Sequence, residues 1–424
     1  MARIDTLANF ITDIATAIKA KTGKTDPITP ANFDTEIASI SGEGGSSEDL
    51  TAELNTYGTA LETQNISLDD IVEALKTKST GGGVGPYTPR HISFYGYAGT
   101  ELNEEIQNLD VSNMTTMKYM FAECRYLTEL DLSSFDTINI TSMEGMFNYN
   151  MKLASLDVSN FNTSNVTTMS QMFFYCQSLQ NPQINHFDVS NVTDMYAMFQ
   201  YSGVVNVDLS NWDARKVTRL MSMFATASSL TTANFTNFRT SAVTTMGSMF
   251  YKCSKLLSLD LSSFDVSNVT ELNGLCSGCT ALSSFNLGEW NAPNVTTLQA
   301  MFQSCSSLLE LDFNVITSTA LRTTTSLFYG CKNLSKLRIK GTDTSSVTSA
   351  TNVFTNCSLL KTLIIDTPQV FKITNANAFT GSGIATGICT VYVSDDLIES
   401  YKADTYWGVY ATQIKALSEY AEEA

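Results

Sequence analysis

The sequence predicts an α/β repeat solenoid, and three observations predict it. A Met-Phe pair, or a degraded form of it, occurs eleven times at intervals of 25 or 26 residues. A short alternating run precedes each pair. Apolar residues at spacings of 3, 3 and 1 lead into it. Self-similarity at one fixed period marks a chain of stacked units, each too small to bury a core alone.

The second residue of the pair, called the mark here, falls at Phe121, Phe147, Phe173, Phe199, Phe224, Phe250, Cys276, Phe302, Phe328, Phe354 and Phe379. Upstream of the marks come runs such as Leu130-Asp131-Leu132, Leu156-Asp157-Val158, Leu259-Asp260-Leu261 and Leu311-Asp312-Phe313. Period-two alternation predicts a short strand with its apolar side inward. An aromatic follows (Phe135, Phe161, Phe187, Trp212, Phe238, Phe264 or Trp290) and is expected to plug the turn. Val166, Met169, Met172 and Phe173 then predict about two helical turns, with the preceding Ser and Asn as N-caps. At the ~4.8 Å spacing of stacked strands, eleven units span roughly 50 Å.

Cys124, Cys176, Cys253, Cys279, Cys305, Cys331 and Cys357 lie three residues after a mark, where other units carry Asn150, Ser202, Ala227 or Ser382. A slot that takes Cys, Ser or Ala wants a small buried side chain, and free Cys behaves as a small hydrophobe. Cys276-x-x-Cys279 has no partner pair or nearby His, so no metal is expected there.

The chain has 42 acids, 25 bases and a formal charge of −17. It has no Lys/Arg-rich run, so nucleic acid and anionic membranes are not expected partners. No apolar run reaches the ~18 residues of a membrane span. The N-terminus shows no apolar signal core and the C-terminus no wall anchor, so a soluble cytoplasmic product is expected. Two histidines, and no GxSxG, HExxH or phosphate-binding glycine loop, argue against an enzyme. No cofactor or metal is expected.

The unit Leu259–Cys279, LDLSSFDVSNVTELNGLCSGC, resembles the BspA-like leucine-rich repeat family, whose units run close to LDLSNFDTSNVTNMSxMFxxC. The resemblance covers roughly residues 100–380. It implies a right-handed solenoid of about eleven 26-residue units, used for surface binding. Residues 390–420 are similar to the segment that closes such arrays, with Val391, Val393, Leu397 and Tyr401 suited to a final strand and helix.

The N-terminal part differs. Ile4, Leu7, Ile11, Ile14 and Ile18 follow 3-4-3-4 spacing. Leu50, Leu54, Tyr57, Leu61, Gln64, Leu68, Ile71 and Leu75 continue a second heptad register, which Gly58 and an NISLDD cap at 65–70 would split. Both a helical hairpin and a self-associating coiled coil, most simply a homotrimer, fit this pattern. The opening residues are also similar to the N-terminal segment of tail and baseplate proteins of phages of Gram-positive hosts. The expected organisation is a helical attachment segment (1–42), a coiled-coil region with a Gly-rich linker (43–83), the solenoid (84–388) and a cap (389–424).

Together these readings describe a phage tail or baseplate protein, receptor-binding or fibre-like, located in the virion. Its expected partners are a host cell-surface glycan or protein and other tail proteins. A bacterial BspA-like surface adhesin or secreted protein-interaction module is the alternative. Candidate binding residues are outward aromatics: Tyr149, Tyr175 and Tyr201, two residues past successive marks, with Tyr126, Phe174, Tyr196 and Tyr251 in nearby columns. Aligned tyrosines suit sugar rings, and equally suit packing on one another. Two Asp columns, Asp131, Asp157, Asp208, Asp260 and Asp312, and Asp136, Asp188, Asp213 and Asp265, fit either calcium or bonds to turn backbone.

Overall fold

The computed structural model describes residues 93–421, apart from 101, 103–105, 107 and 108. The helical and coiled-coil segments expected within 1–83 lie outside those residues.

The described chain winds into a β-solenoid of about eleven coils. The short strands are β1 (Glu129–Asp131), β2 (Ser155–Asp157), β3 (Asn206–Asp208), β4 (Thr232–Asn234), β5 (Ser258–Asp260), β6 (Ser284–Asn286), β7 (Trp290–Asn291), β8 (Glu310–Phe313), β9 (Val315–Ile316), β10 (Lys336–Lys340) and β11 (Thr362–Asp366). All pairing is parallel and in register between coils, as in Leu130↔Leu156 and Leu259↔Phe285. Leu130, Leu156 and Leu259 are buried while their strand neighbours face out, as alternation requires. The strand side is interrupted: β1–β2, β3–β4, β5–β6 and β7–β9 form separate pairs, and one larger sheet follows from β8. No strand forms around Pro182, which lacks the N–H a ladder needs.

The expected helical turns do not form. Among the described residues of the repeats, the segment carrying Met169, Met172 and Phe173 is a run of tight turns. Alternate amides do different work there. Met172 N–H, Phe174 N–H and Cys176 N–H donate three residues back, to Met169, Gln171 and Phe173 carbonyls (3.2, 3.1 and 3.2 Å). Gln171, Phe173 and Tyr175 N–H donate instead to Tyr196, Met198 and Gln200 of the next coil (2.8, 2.9 and 2.9 Å). Turning half the amides along the solenoid axis demands left-handed residues. They fall in two columns, two residues before and two after each mark: Gln171 (φ 57°) and Tyr175 (φ 60°) in this coil, Gly274 (φ 62°) and Gly278 (φ 80°) four coils on. Left-handed backbone costs an L-residue about 1–2 kcal/mol. The axial bonds and the packing beneath must offset that at every non-glycine position.

The polar consensus residues hold the coils together. Thr141, Thr167, Thr193, Thr218, Thr244, Thr270 and Thr296 each donate Oγ1–H to the carbonyl of the preceding Thr in the column, at 3.0–3.2 Å. One-residue parallel bridges beside them run unbroken from Thr116 to Ser349. Asn139, Asn165, Asn191, Asn268 and Asn294 donate Nδ2–H to a carbonyl of the preceding coil. This, and not a helix N-cap, is why the unit keeps Asn.

The marks stack through the core. Neighbouring Phe rings from Phe121 to Phe250 lie 5.1–6.0 Å apart and nearly parallel. Phe94, absent from the sequence pattern of marks, starts the stack 5.3 Å from Phe121. At Cys276 the ring is missing. In that coil Phe285 takes a strand position held by Leu in β1, β2 and β5, and lies edge-on to Phe302 at 5.0 Å.

The cysteine slot is buried, and it does more than fill space. Cys176 Sγ–H donates to the Phe147 carbonyl at 3.0 Å, and Cys253, Cys279, Cys305, Cys331 and Cys357 repeat the bond at 3.0–3.2 Å. Asn150 Nδ2–H does the same to Phe121 (2.9 Å). Where the next coil carries Ala227, Ser202 Oγ–H serves the Phe199 carbonyl from its own coil at 2.7 Å.

Beyond the last mark, β12 (Thr390–Val393), helix α1 (Ile398–Ala403) and β13 (Ile414–Ala416) cover the core. Trp407 lies 4.8 Å from Phe379 and donates Nε1–H to the Phe371 carbonyl at 2.7 Å. Buried Tyr401 accepts from Phe371 N–H at 2.9 Å.

Candidate interaction surface

Four of the seven candidate aromatics come together. Tyr149, Tyr175 and Tyr201 occupy the left-handed column after the mark on three successive coils. That backbone turns their side chains outward beside one another. Ring centroids are 4.9 Å apart for Tyr149–Tyr175 and 4.6 Å for Tyr175–Tyr201. Phe174 lies 5.3 Å from both Tyr149 and Tyr175 and edge-on to Tyr201 at 5.9 Å. Arg125, ion-paired to Glu123 at 2.8 Å, lies 5.8 Å from the Tyr149 ring. At the far end the column continues as Thr226 and Lys252.

This geometry revises how a ligand could use the ladder. Rings at 4.6–4.9 Å are in contact, so nothing slides between them. Their faces are spent on one another, which is the packing alternative. The edges and phenol oxygens remain for a partner, and those three oxygens make no hydrogen bond among the described residues. Each ring is half-buried. The result is a stiff polar-aromatic ridge.

The other three candidates stand apart. Tyr126 is exposed beneath Lys152 (5.3 Å), Tyr196 pairs with Arg219 (4.9 Å) and Tyr251 with Lys252 (5.1 Å). Tyr95 was not found from sequence. Its hydroxyl donates to Glu123 Oε1 at 2.5 Å, at the start of the same surface. Burial first, then that bond to Glu123, pushes its pKa up to about 12. The Ser-Phe-Tyr-Gly at 93–96 was the available signal: Phe94 sits 27 residues before Phe121 and Gly96 is left-handed (φ 71°).

The acidic columns do turn work. Asp131, Asp157, Asp208 and Asp260 each accept from the N–H two residues on, at 2.9–3.1 Å. Asp136, Asp188, Asp213 and Asp265 do likewise at 2.9–3.4 Å. The Ser159 hydroxyl and N–H hold the Asp157 carboxyl below its ordinary range. Among the described residues no three acidic, His or Cys side chains are grouped to hold a metal ion. The cysteines are not poised as nucleophiles or ligands: burial raises the Cys124, Cys176 and Cys331 thiols to about 12. Among the described residues no helix is long and apolar enough to cross a membrane.

The DUF285 family, described as Mycoplasma protein of unknown function, matches at residues 93–155, 148–258, 229–336 and 319–381. Those segments cover about two-thirds of the chain. The chain belongs to the DUF285 family. The four overlapping matches span the stacked coils, each covering several of them. No curated protein matches the sequence. Among solved structures, one similar chain is in a TLR13–ssRNA13 complex (15% identity, 69% of this chain and 40% of that one, TM-score 0.31). Another is a leucine-rich repeat protein from Bacteroides ovatus (15%, 61% and 73%, TM-score 0.29). A third is the functional domain of InlJ from Listeria monocytogenes, which includes a cysteine ladder (13%, 72% and 72%, TM-score 0.22). This chain thus spans less than half the length of the first of these.

Proposed function

We propose that this protein is a non-catalytic binding module whose solenoid is a rigid arm presenting side chains to a cell-surface partner. The observation that carries this reading is the stiff ridge of Tyr149, Tyr175 and Tyr201, with Phe174 behind it and Arg125 at one end. Aromatic residues held rigid and half-exposed lose little entropy when they bind. The module belongs to a phage tail or baseplate, as a receptor-binding or fibre-like component that contacts a host glycan or protein. The similarity of the opening residues to tail and baseplate proteins supports this. In that setting residues 1–83 attach the protein to other tail proteins and trimerise it.

Purified protein added to host cells should block phage adsorption, and the chain should be present in purified virions. Tyr175→Ala should weaken the block at least tenfold with thermal unfolding unchanged. An equally potent Tyr175→Ala protein would remove the ridge from the binding site.

A bacterial surface adhesin is the second reading, favoured by the match to a family described from Mycoplasma. Protein absent from virions but exposed on the producing cell would select it.

A further inference from the structure

The strand side opens between β6 and β8. These strands lie on consecutive coils, yet β6 pairs only with β5, while β8 pairs with β10. The chain after β6 turns aside through left-handed Gly288 (φ 63°) into β7, which pairs with β9. The opening is a cleft of about 420 Å³, within the ~300–1,000 Å³ typical of small-ligand sites.

Three acceptor groups in this cleft are idle. Asp312 belongs to the column whose other acids accept from the N–H two residues on, but no such bond forms here. Neither Asp312 nor Glu310 has a side-chain hydrogen bond or ion pair among the described residues. The Asn314 Oδ1 atom is buried without a partner, a state that is costly unless a ligand or water satisfies it. Phe285 and Leu287 supply apolar lining and Lys336 a donor.

Charge narrows the ligand. The register places Lys336 beside Glu310 and Arg338 beside Asp312, and Glu289 is paired to Lys340 at 3.2 Å. An anion would meet the carboxylates of Glu310 and Asp312, and a cation would meet the Lys336 ammonium. A neutral molecule with many hydroxyls meets neither penalty. Its O–H groups can donate to Glu310, Asp312 and Asn314 Oδ1 and accept from Lys336.

We infer that this cleft is a binding site for a neutral saccharide, of monosaccharide or disaccharide size. It deepens the glycan part of the reading above but uses other residues, on other coils, than the tyrosine ridge. Either can therefore fail alone.

Saturation-transfer NMR on the full chain, with glucose, galactose, mannose, rhamnose and N-acetylglucosamine as probes, tests it. At least one sugar should receive saturation. Asp312→Asn and Asn314→Leu should each reduce that signal at least fivefold, and Tyr175→Ala should leave it unchanged. Asn already occupies the Asp312 column at Asn234 and Asn286, so Asp312→Asn keeps the fold. Thermal unfolding checks Asn314→Leu. No transfer to any of the five sugars would overturn the inference. So would transfer that persists in Asp312→Asn, or that is lost in Tyr175→Ala. Spermine binding in place of the sugars would overturn it by showing a cation site.

Discussion

The turn side and the strand side of this solenoid are built by different rules. On the turn side, the Thr column, its one-residue bridges and the Phe stack run almost without a break from one end to the other. On the strand side, pairing stops at Pro182, between β4 and β5, and again between β6 and β8. Axial continuity therefore belongs to the turns, where the Thr, Asn and Cys side-chain donors add to the main-chain bonds. The strands are free to vary, and a cleft opens where they separate.

Alkaline pH should strain the turn side most, because the cysteine slot lies there. Burial raises the folded thiols of Cys124, Cys176 and Cys331 to about 12, from an ordinary 9.0. A raised folded pKa stabilises fully below the unfolded value, and that stability is lost as pH rises from about 9 towards 12. Each thiol should remove about 1.4 kcal/mol per pH unit within that window. Thermal unfolding in reducing buffer should be flat up to pH 9 and then fall steeply. A Cys176→Ala/Cys331→Ala variant should fall less steeply. An identical slope would mean that the slot does not set the alkaline limit.

Single truncations sharpen the contrast. Phe173→Ala removes a ring stacked on both sides and should cost about 3–5 kcal/mol. Leu156→Ala, at the strand side and 7% exposed, should fall near the low end of the 2–5 kcal/mol range for such changes. Denaturant unfolding of the two variants compares them, and a larger loss at Leu156 would break the distinction.

Cys276 links the two sides. Restoring the ring with Cys276→Phe should overpack the core by about 1–3 kcal/mol because Phe285 already presses on Phe302. Adding Phe285→Leu should recover most of that loss. Additive effects in this double-mutant cycle would show that the two positions do not share space.

The smallest effect is a gain. Asn150 is fully buried, and its Oδ1 has no partner. Asn150→Cys keeps a donor for the Phe121 carbonyl and removes the idle acceptor, so stability should rise by about 1 kcal/mol, read as a higher melting temperature.

The period was legible in sequence because Met-Phe recurs whatever backbone carries it. The inward strand residues were legible because alternation has one structural meaning. The turn was not. Val166, Met169, Met172 and Phe173 sit at spacings that a helix would use, and three-residue turns separated by left-handed residues give the same spacing. Glycine held the missing clue. Gly145 and Gly274 recur two residues before marks, and Gly278, Gly330 and Gly381 two after. A helix interior would lose about 1 kcal/mol at each, whereas a left-handed column accepts them freely. The tyrosine column was legible as an alignment, but its self-stacking was not, because sequence carries no ring separations. The cleft had no local signature, since it arises from pairing that does not happen between β6 and β8.

The axial direction of the turn-side bonds has a mechanical consequence. Tension along the solenoid loads those bonds lengthwise, so coils must come off an end in succession instead of shearing together. Each released coil of 26 residues would lengthen the molecule by about 80–90 Å. An arm of this kind is stiff under small loads and extends in large, equal steps beyond them.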